Sequence, residues 1–127
     1  MLDPSVKELA SGKNFAAFTT LLPDGRPQTH IMWVDATDDQ VLVNTEVERQ
    51  KYRNVQRDPR VTVTIFDRDN PYHYAEVRGR VTGTVVGDEA RQHLESLSQR
   101  YNGAPYANPI ASERVILRIT PDRQLVR

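Results

Sequence analysis

The chain has 127 residues, 38% of them hydrophobic and 27% charged, the balance of a soluble globule with one domain's core. Seventeen basic residues match seventeen acidic ones, so no overall field draws the chain to nucleic acid or an anionic membrane. The lack of cysteine excludes disulfides, thiol nucleophiles and zinc–thiolate sites together. No apolar run approaches the roughly 20 residues that span a bilayer. Met1-Leu2-Asp3-Pro4 lacks the basic start and apolar core of a secretory signal, so a cytoplasmic location is expected.

Asp3-Pro4 reads as an N-cap followed by proline at the first helical position, with Ser5-Val6-Lys7-Glu8 as an alternative capping box. A short helix is predicted to about Ala10, with Gly12 just past its end. Residues 14–22 are rich in strand formers, and Pro23-Asp24-Gly25 is a turn in which proline presets φ and glycine accepts a positive one. The run 28–34 returns as a second strand, 35–39 turns again, and 41–44 forms a third strand. The charged segment 46–60 carries Tyr52 and Val55 at i, i+3 and predicts a short helix over 51–56 before Asp58-Pro59. Residues 61–66 alternate β-branched apolar residues with threonine, a strand signature. After a turn at 67–71, residues 72–86 predict a long strand whose Gly79 and Gly83 mark bulges or barrel corners. A helix follows from Asp88 to about Tyr101, with Ala90, Leu94, Leu97 and Tyr101 on one stripe. A loop at 103–109 leads to a last strand over 113–120. About six strands and three short helices, joined by tight turns without βαβ alternation, predict a mainly β fold with an antiparallel barrel-like sheet.

Arg49 and Lys51 lie two apart and point to the same side of an extended segment. A helix starting near Lys51 would add its free N–H groups and dipole, making a phosphate site with Thr45 and Asn54 as neutral donors. A plainer reading stands beside it: Arg49, Arg53 and Arg57 at i, i+4 and i+8 form one solvated helix face. His30 and Trp33, flanking Met32 on one strand, face a flat ring system or serve as ordinary core and surface neighbours. His30, His73 and His93 are not spaced as a metal set, so no metal is expected. Neither a dinucleotide-type Gly-x-Gly-x-x-Gly nor a Gly-x-Ser-x-Gly elbow is present. The basic cluster at 49–60 and the tyrosines would suit an oligonucleotide-binding barrel, but the zero net charge and scattered strand aromatics argue against one.

Taken in order, Pro-Asp-Gly-Arg-Pro-Gln at 23–28, Val-Leu-Val-Asn-Thr at 41–45, Arg-x-Lys at 49–51, Asn54, Asp-Pro-Arg-Val at 58–61 and Tyr-Ala-Glu-Val-Arg-Gly at 74–79 form a specific set. It resembles the pyridoxamine 5'-phosphate oxidase-like (FMN-binding split barrel) superfamily, most closely its flavin/deazaflavin branch of F420-dependent enzymes. Leu-Ser-Gln-Arg-Tyr at 97–101, followed by Pro105-Tyr106, is similar to the same branch. The resemblance implies an antiparallel split β-barrel and a homodimer with cofactor sites at the subunit interface. It implies that Arg49 and Lys51 hold the cofactor phosphate, with Asn54 following that pair. The ring would lie against the second and third strands, which makes Gln28, Thr29, His30, Trp33, Asn44 and Thr45 cofactor-binding residues. Tyr72, Tyr74 and the loop 101–106 are expected to contribute from either chain. His30-Ile31-Met32-Trp33 falls where relatives vary widely, so the resemblance does not carry a substrate across.

The function implied is an F420-dependent oxidoreductase that passes a hydride between the deazaflavin and a small organic substrate. FMN is the alternative cofactor, and a non-catalytic cofactor or ligand carrier the alternative class. Arg53 and Arg57, one and two turns beyond Arg49, would meet the carboxylate tail of F420. His30 is the expected proton donor, since imidazole titrates near neutrality, and Tyr74 is the alternative. A homodimer is also expected because Ile31, Val63 and Ile65 cannot all be buried in one small core.

Overall fold

The computed structural model describes all 127 residues. The Asp3 carboxylate accepts a hydrogen bond from the Ser5 N–H at 2.8 Å and starts helix α1 (Pro4–Ser11), with proline where no N–H is needed. Strands β1 (Phe15–Leu21) and β2 (Pro27–Met32) pair around the 23–25 turn, where Gly25 takes a φ of 88°. After them come β3 (Asp35–Ala36), β4 (Val41–Glu46), α2 (Gln50–Arg57) and β5 (Arg60–Phe66). The chain ends with β6 (Tyr74–Val86), α3 (Asp88–Asn102) and β7 (Arg114–Val126). Every pairing is antiparallel, in the order β2-β1-β5-β6-β7-β4-β3, which makes a mainly β split barrel with three helices.

Strict alternation sends Ala16 and Phe18 of β1, Val61, Val63 and Ile65 of β5, and Ala75 and Val77 of β6 into one core, which α1 covers with Val6, Leu9 and Ala10. Of the three apolar residues expected to outrun a single core, Val63 and Ile65 are fully buried while Ile31 is 63% exposed. The register of β6 against β7 shifts at Arg78/Gly79 and at Val81/Gly83, bending the two longest strands. A Cβ on Gly79 would stand 2.3 Å from the Thr120 carbonyl oxygen, so only glycine fits the first bend.

The sheet has seven strands rather than about six. The segment 35–39, expected to be a turn, opens with β3, whose Asp35 and Ala36 pair with Leu42 and Val41. Two residues carry no periodicity, so nothing local announces such a strand. The last strand runs on to Val126, because Pro121 lies opposite Gly79 at the bulge, where a missing N–H is tolerated. At the other end, β6 begins at Tyr74, and Tyr72 is an exposed turn residue. No helix is long and apolar enough to cross a membrane.

Candidate functional site

The end of β2, the end of β4, the start of α2 and the start of β7 meet beneath α3 and enclose a cleft of about 320 Å³. Its apolar wall is Phe15, Ile31, Met32, Trp33, Leu94 and Leu97, with Tyr106 closing it from the loop after α3. Trp33 is held rigidly. Its indole stacks on Tyr101 at 5.0 Å and 9°, and the Tyr106 ring meets it edge-on at 6.3 Å.

The rest of the lining is polar and positive: Asn44, Thr45, Arg49, Lys51, Asn108 and Arg114, with no carboxylate among the lining residues. Glu46 lies just behind, 3% exposed, with its carboxylate 3.7 Å from Arg49 Nε and 3.5 Å from Arg114 Nη1. Lys51 is only 9% exposed, yet its side chain forms no ion pair and no hydrogen bond within the chain. Burial lowers its pKa, helped by the positive charges of Arg49 and Arg114. No buried side-chain nitrogen lacks a partner, so the Lys51 ammonium reaches solvent in the cleft it lines. An ammonium on a mostly buried side chain, without a counter-ion and sharing a cleft with apolar and aromatic residues, fits a ligand with an anionic group and a ring.

Behind the polar wall runs a continuous hydrogen-bonded chain. Arg114 Nε donates to Asn44 Oδ1 at 2.9 Å, and Asn44 Nδ2 is shared between the Ala90 carbonyl at 2.9 Å and His93 Nδ1 at 3.0 Å. With Nδ1 accepting, His93 Nε2 carries the proton and donates to Asp35 Oδ2 at 2.9 Å. Arg100 Nη2 donates to the other Asp35 oxygen at 2.7 Å. Burial of Asp35 favours protonation, but the bonds from His93 and Arg100 prevail and bring its pKa down to about 2.

Of the residues singled out from sequence, Trp33, Asn44, Thr45, Arg49 and Lys51 line the cleft together. Asn54 does not. It is fully buried, donates to Thr20 Oγ1 at 2.9 Å and Gln28 Oε1 at 3.2 Å, and accepts from Gln50 at 2.8 Å. Asn54 and Gln28 therefore tie α2 to the β1–β2 hairpin. Thr29 is spent on a cross-strand contact with Thr19 at 2.7 Å. His30 is exposed and lies outside the lining, yet within the field of the charged pair: burial, then Lys51 and Arg49, lower its pKa. Tyr74 sits opposite Phe66 on the outer face of the sheet, away from the cleft. Arg53 and Arg57 bond to the Glu48 and Leu21 carbonyls. Phe15, Asn108 and Arg114 line the cleft without having been singled out from sequence, and Leu94 and Leu97, expected only as part of the α3 stripe, line it too.

A family model described as pyridoxamine 5'-phosphate oxidase matches residues 2–125. The chain is similar to a solved F420 reductase at 32% identity, covering 98% of each chain with a TM-score of 0.83. It is also similar to a conserved hypothetical protein from Mycobacterium tuberculosis, 25% identical, with 98% of this chain and 82% of that one covered and a TM-score of 0.70. A putative pyridoxamine 5'-phosphate oxidase from Listeria innocua shares the fold at 17% identity, covering 96% and 92% with a TM-score of 0.68. No curated protein matches the chain. With the family model spanning nearly every residue and the split barrel formed as that family requires, the chain belongs to the pyridoxamine 5'-phosphate oxidase family.

Proposed function

We propose that this protein is an F420-dependent reductase that transfers a hydride between the deazaflavin and a small organic substrate. The observation that carries this reading is Lys51, nine-tenths buried without a counter-ion, in a cleft that Trp33, Ile31 and Met32 also line. The likeness to an F420 reductase over 98% of both chains supports the choice of cofactor.

When bound, the deazaflavin supplies the hydride chemistry. Lys51 and Arg49 hold the phosphate, and Asn44 and Thr45 offer neutral polar contacts. Trp33, fixed by its stack on Tyr101, orients the flat ring, while Leu94 and Leu97 keep water from the apolar side. His30, exposed beside the Arg49–Lys51 pair, delivers a proton as its imidazolium, and because burial and those two cations lower its pKa, proton delivery should strengthen toward acid pH. The chain acts as a homodimer, in which the exposed Ile31 and the outer sheet face are covered and Tyr74 of each subunit is brought toward the neighbouring site.

Titration with F420 and separately with FMN, followed by absorbance and Trp33 fluorescence, tests the reading. F420 should bind at least about tenfold tighter, a difference of about 1.4 kcal/mol. The pyridoxamine 5'-phosphate oxidase match favours FMN as the second reading. Protein that purifies yellow with FMN and consumes oxygen on reduction would establish that second reading instead. Sedimentation should show twice the chain mass at micromolar concentration; a monomer alone would remove the two-subunit site.

A further inference from the structure

The cleft holds more positive charge than the phosphodiester of F420 would neutralise. Arg49, Lys51 and Arg114 all line it, and Glu46 is the one carboxylate paired with any of them. A phosphate monoester such as that of FMN, at nearly two negative charges, would consume the whole excess. The diester group itself carries one negative charge and leaves one cation over for a carboxylate.

Arg114 is the cation placed to be that remainder. It is 8% exposed, its Nε is bound to Asn44 Oδ1, and its Nη1 faces Glu46. Its Nη2 makes no hydrogen bond within the chain, and because no buried nitrogen is left unpaired, Nη2 keeps access to solvent on a residue that lines the cleft. The guanidinium carbon lies 5.8 Å from the centroid of the Tyr106 ring, so an aromatic face stands beside the free edge. The arm cannot swing. Asn44 has its amide oxygen aimed at Arg114 because its nitrogen is committed to Ala90 and His93, and His93 is in turn held by Asp35 and Arg100.

We propose that Arg114 is the substrate-recognition residue of this cleft, taking the carboxylate of a flat, aromatic substrate that lies beside Tyr106. The inference rests on the proposed function, in which Arg49 and Lys51 are occupied by the cofactor phosphodiester. A planar fork with a free edge suits a carboxylate, and the Tyr106 ring beside it suits a flat body. His93, Asp35 and Arg100 are positioning residues that act through Asn44.

The test uses the protein without cofactor, titrated with benzoate and with its neutral isostere benzamide, and followed by the fluorescence of Trp33, the chain's one tryptophan. Benzoate should bind at least about tenfold tighter than benzamide, the worth of one charge-assisted hydrogen bond. Arg114→Gln should abolish that preference and leave F420 affinity within about threefold, a change under 1 kcal/mol. The double variant Arg49→Ala, Lys51→Ala should lose F420 and keep the preference. Because Arg114 is buried, a measurement on the unaltered chain stands beside the variant: the Arg114 Nε–H proton resonance should shift with benzoate and stay put with benzamide. Equal binding of the two probes, an unmoved resonance, or a preference that survives Arg114→Gln but not the double variant would overturn the proposal. Failure of the unaltered chain to bind F420, with the benzoate preference intact, would sink the proposed cofactor alone.

Discussion

The Tyr101 ring lies within 9° of parallel to the Trp33 indole, while its hydroxyl accepts a hydrogen bond from the Val34 N–H at 3.1 Å and donates to the Asn14 carbonyl. One side chain on α3 thus sets the cleft wall and joins the segments that enter β1 and follow β2. Tyr101→Phe keeps the stack but leaves the buried Val34 N–H without that partner, at a cost of about 1–3 kcal/mol. Tyr101→Ala should cost about 3–5 kcal/mol and shift Trp33 emission to the red. Urea unfolding followed by far-UV circular dichroism separates the two.

Lys51 should act with opposite signs on folding and binding. Its burial without a counter-ion opposes the charged form, so Lys51→Met is expected to stabilise the ligand-free protein by about 1 kcal/mol. The same change should weaken F420 binding by about 1.5–3 kcal/mol. A destabilised Lys51→Met protein would mean that the ammonium has a structural role.

Asp35 gives acid stability a definite window. Its folded pKa of about 2 lies below the ordinary 3.8, so the stabilisation it supplies is complete above about pH 4 and lost as pH falls through about 2. With solvent screening of this partly accessible group, the contribution is on the order of 1 kcal/mol. The unfolding free energy of Asp35→Asn, measured from pH 6 to pH 2, should fall less steeply than that of the unaltered chain.

The two bends of β6 should answer differently to the same substitution. At Gly79 a methyl group meets the Thr120 carbonyl at 2.3 Å, and backbone must move, so Gly79→Ala should cost about 1–3 kcal/mol. At Gly83 the nearest atom is Arg118 Cδ at 3.6 Å, an ordinary contact, and Gly83→Ala should be tolerated. Paired urea midpoints measure the contrast.

What could be read from sequence was what neighbouring residues encode. The Asp3 cap, the alternation of β5 and the stripe of α3 are local, and the structure places them close to where the pattern did. Arg49 and Lys51 stood out because they lie only two apart in the chain. Arg114 did not, because only the β4–β7 register brings it opposite Glu46. The Asp35–His93–Arg100 cluster was equally hidden, although His93 and Arg100 lie two turns apart on one edge of the α3 stripe, a polar border that could have been noticed. Asn54 misled for the converse reason: a polar residue near a cationic pair looks like a ligand donor, but it is consumed by Thr20, Gln28 and Gln50.

The cleft draws its lining from β1, β2, β4, α2, α3 and β7, so no locally folded part of the chain can bind what the whole chain binds. Occupancy and global unfolding are therefore linked by mass action. A ligand at a hundred times its dissociation constant should add about 2.7 kcal/mol to the unfolding free energy and raise the melting temperature by roughly 10 °C. Melting curves recorded against a library of aromatic acids would rank ligands for this cleft by heat resistance alone, before any turnover is observed.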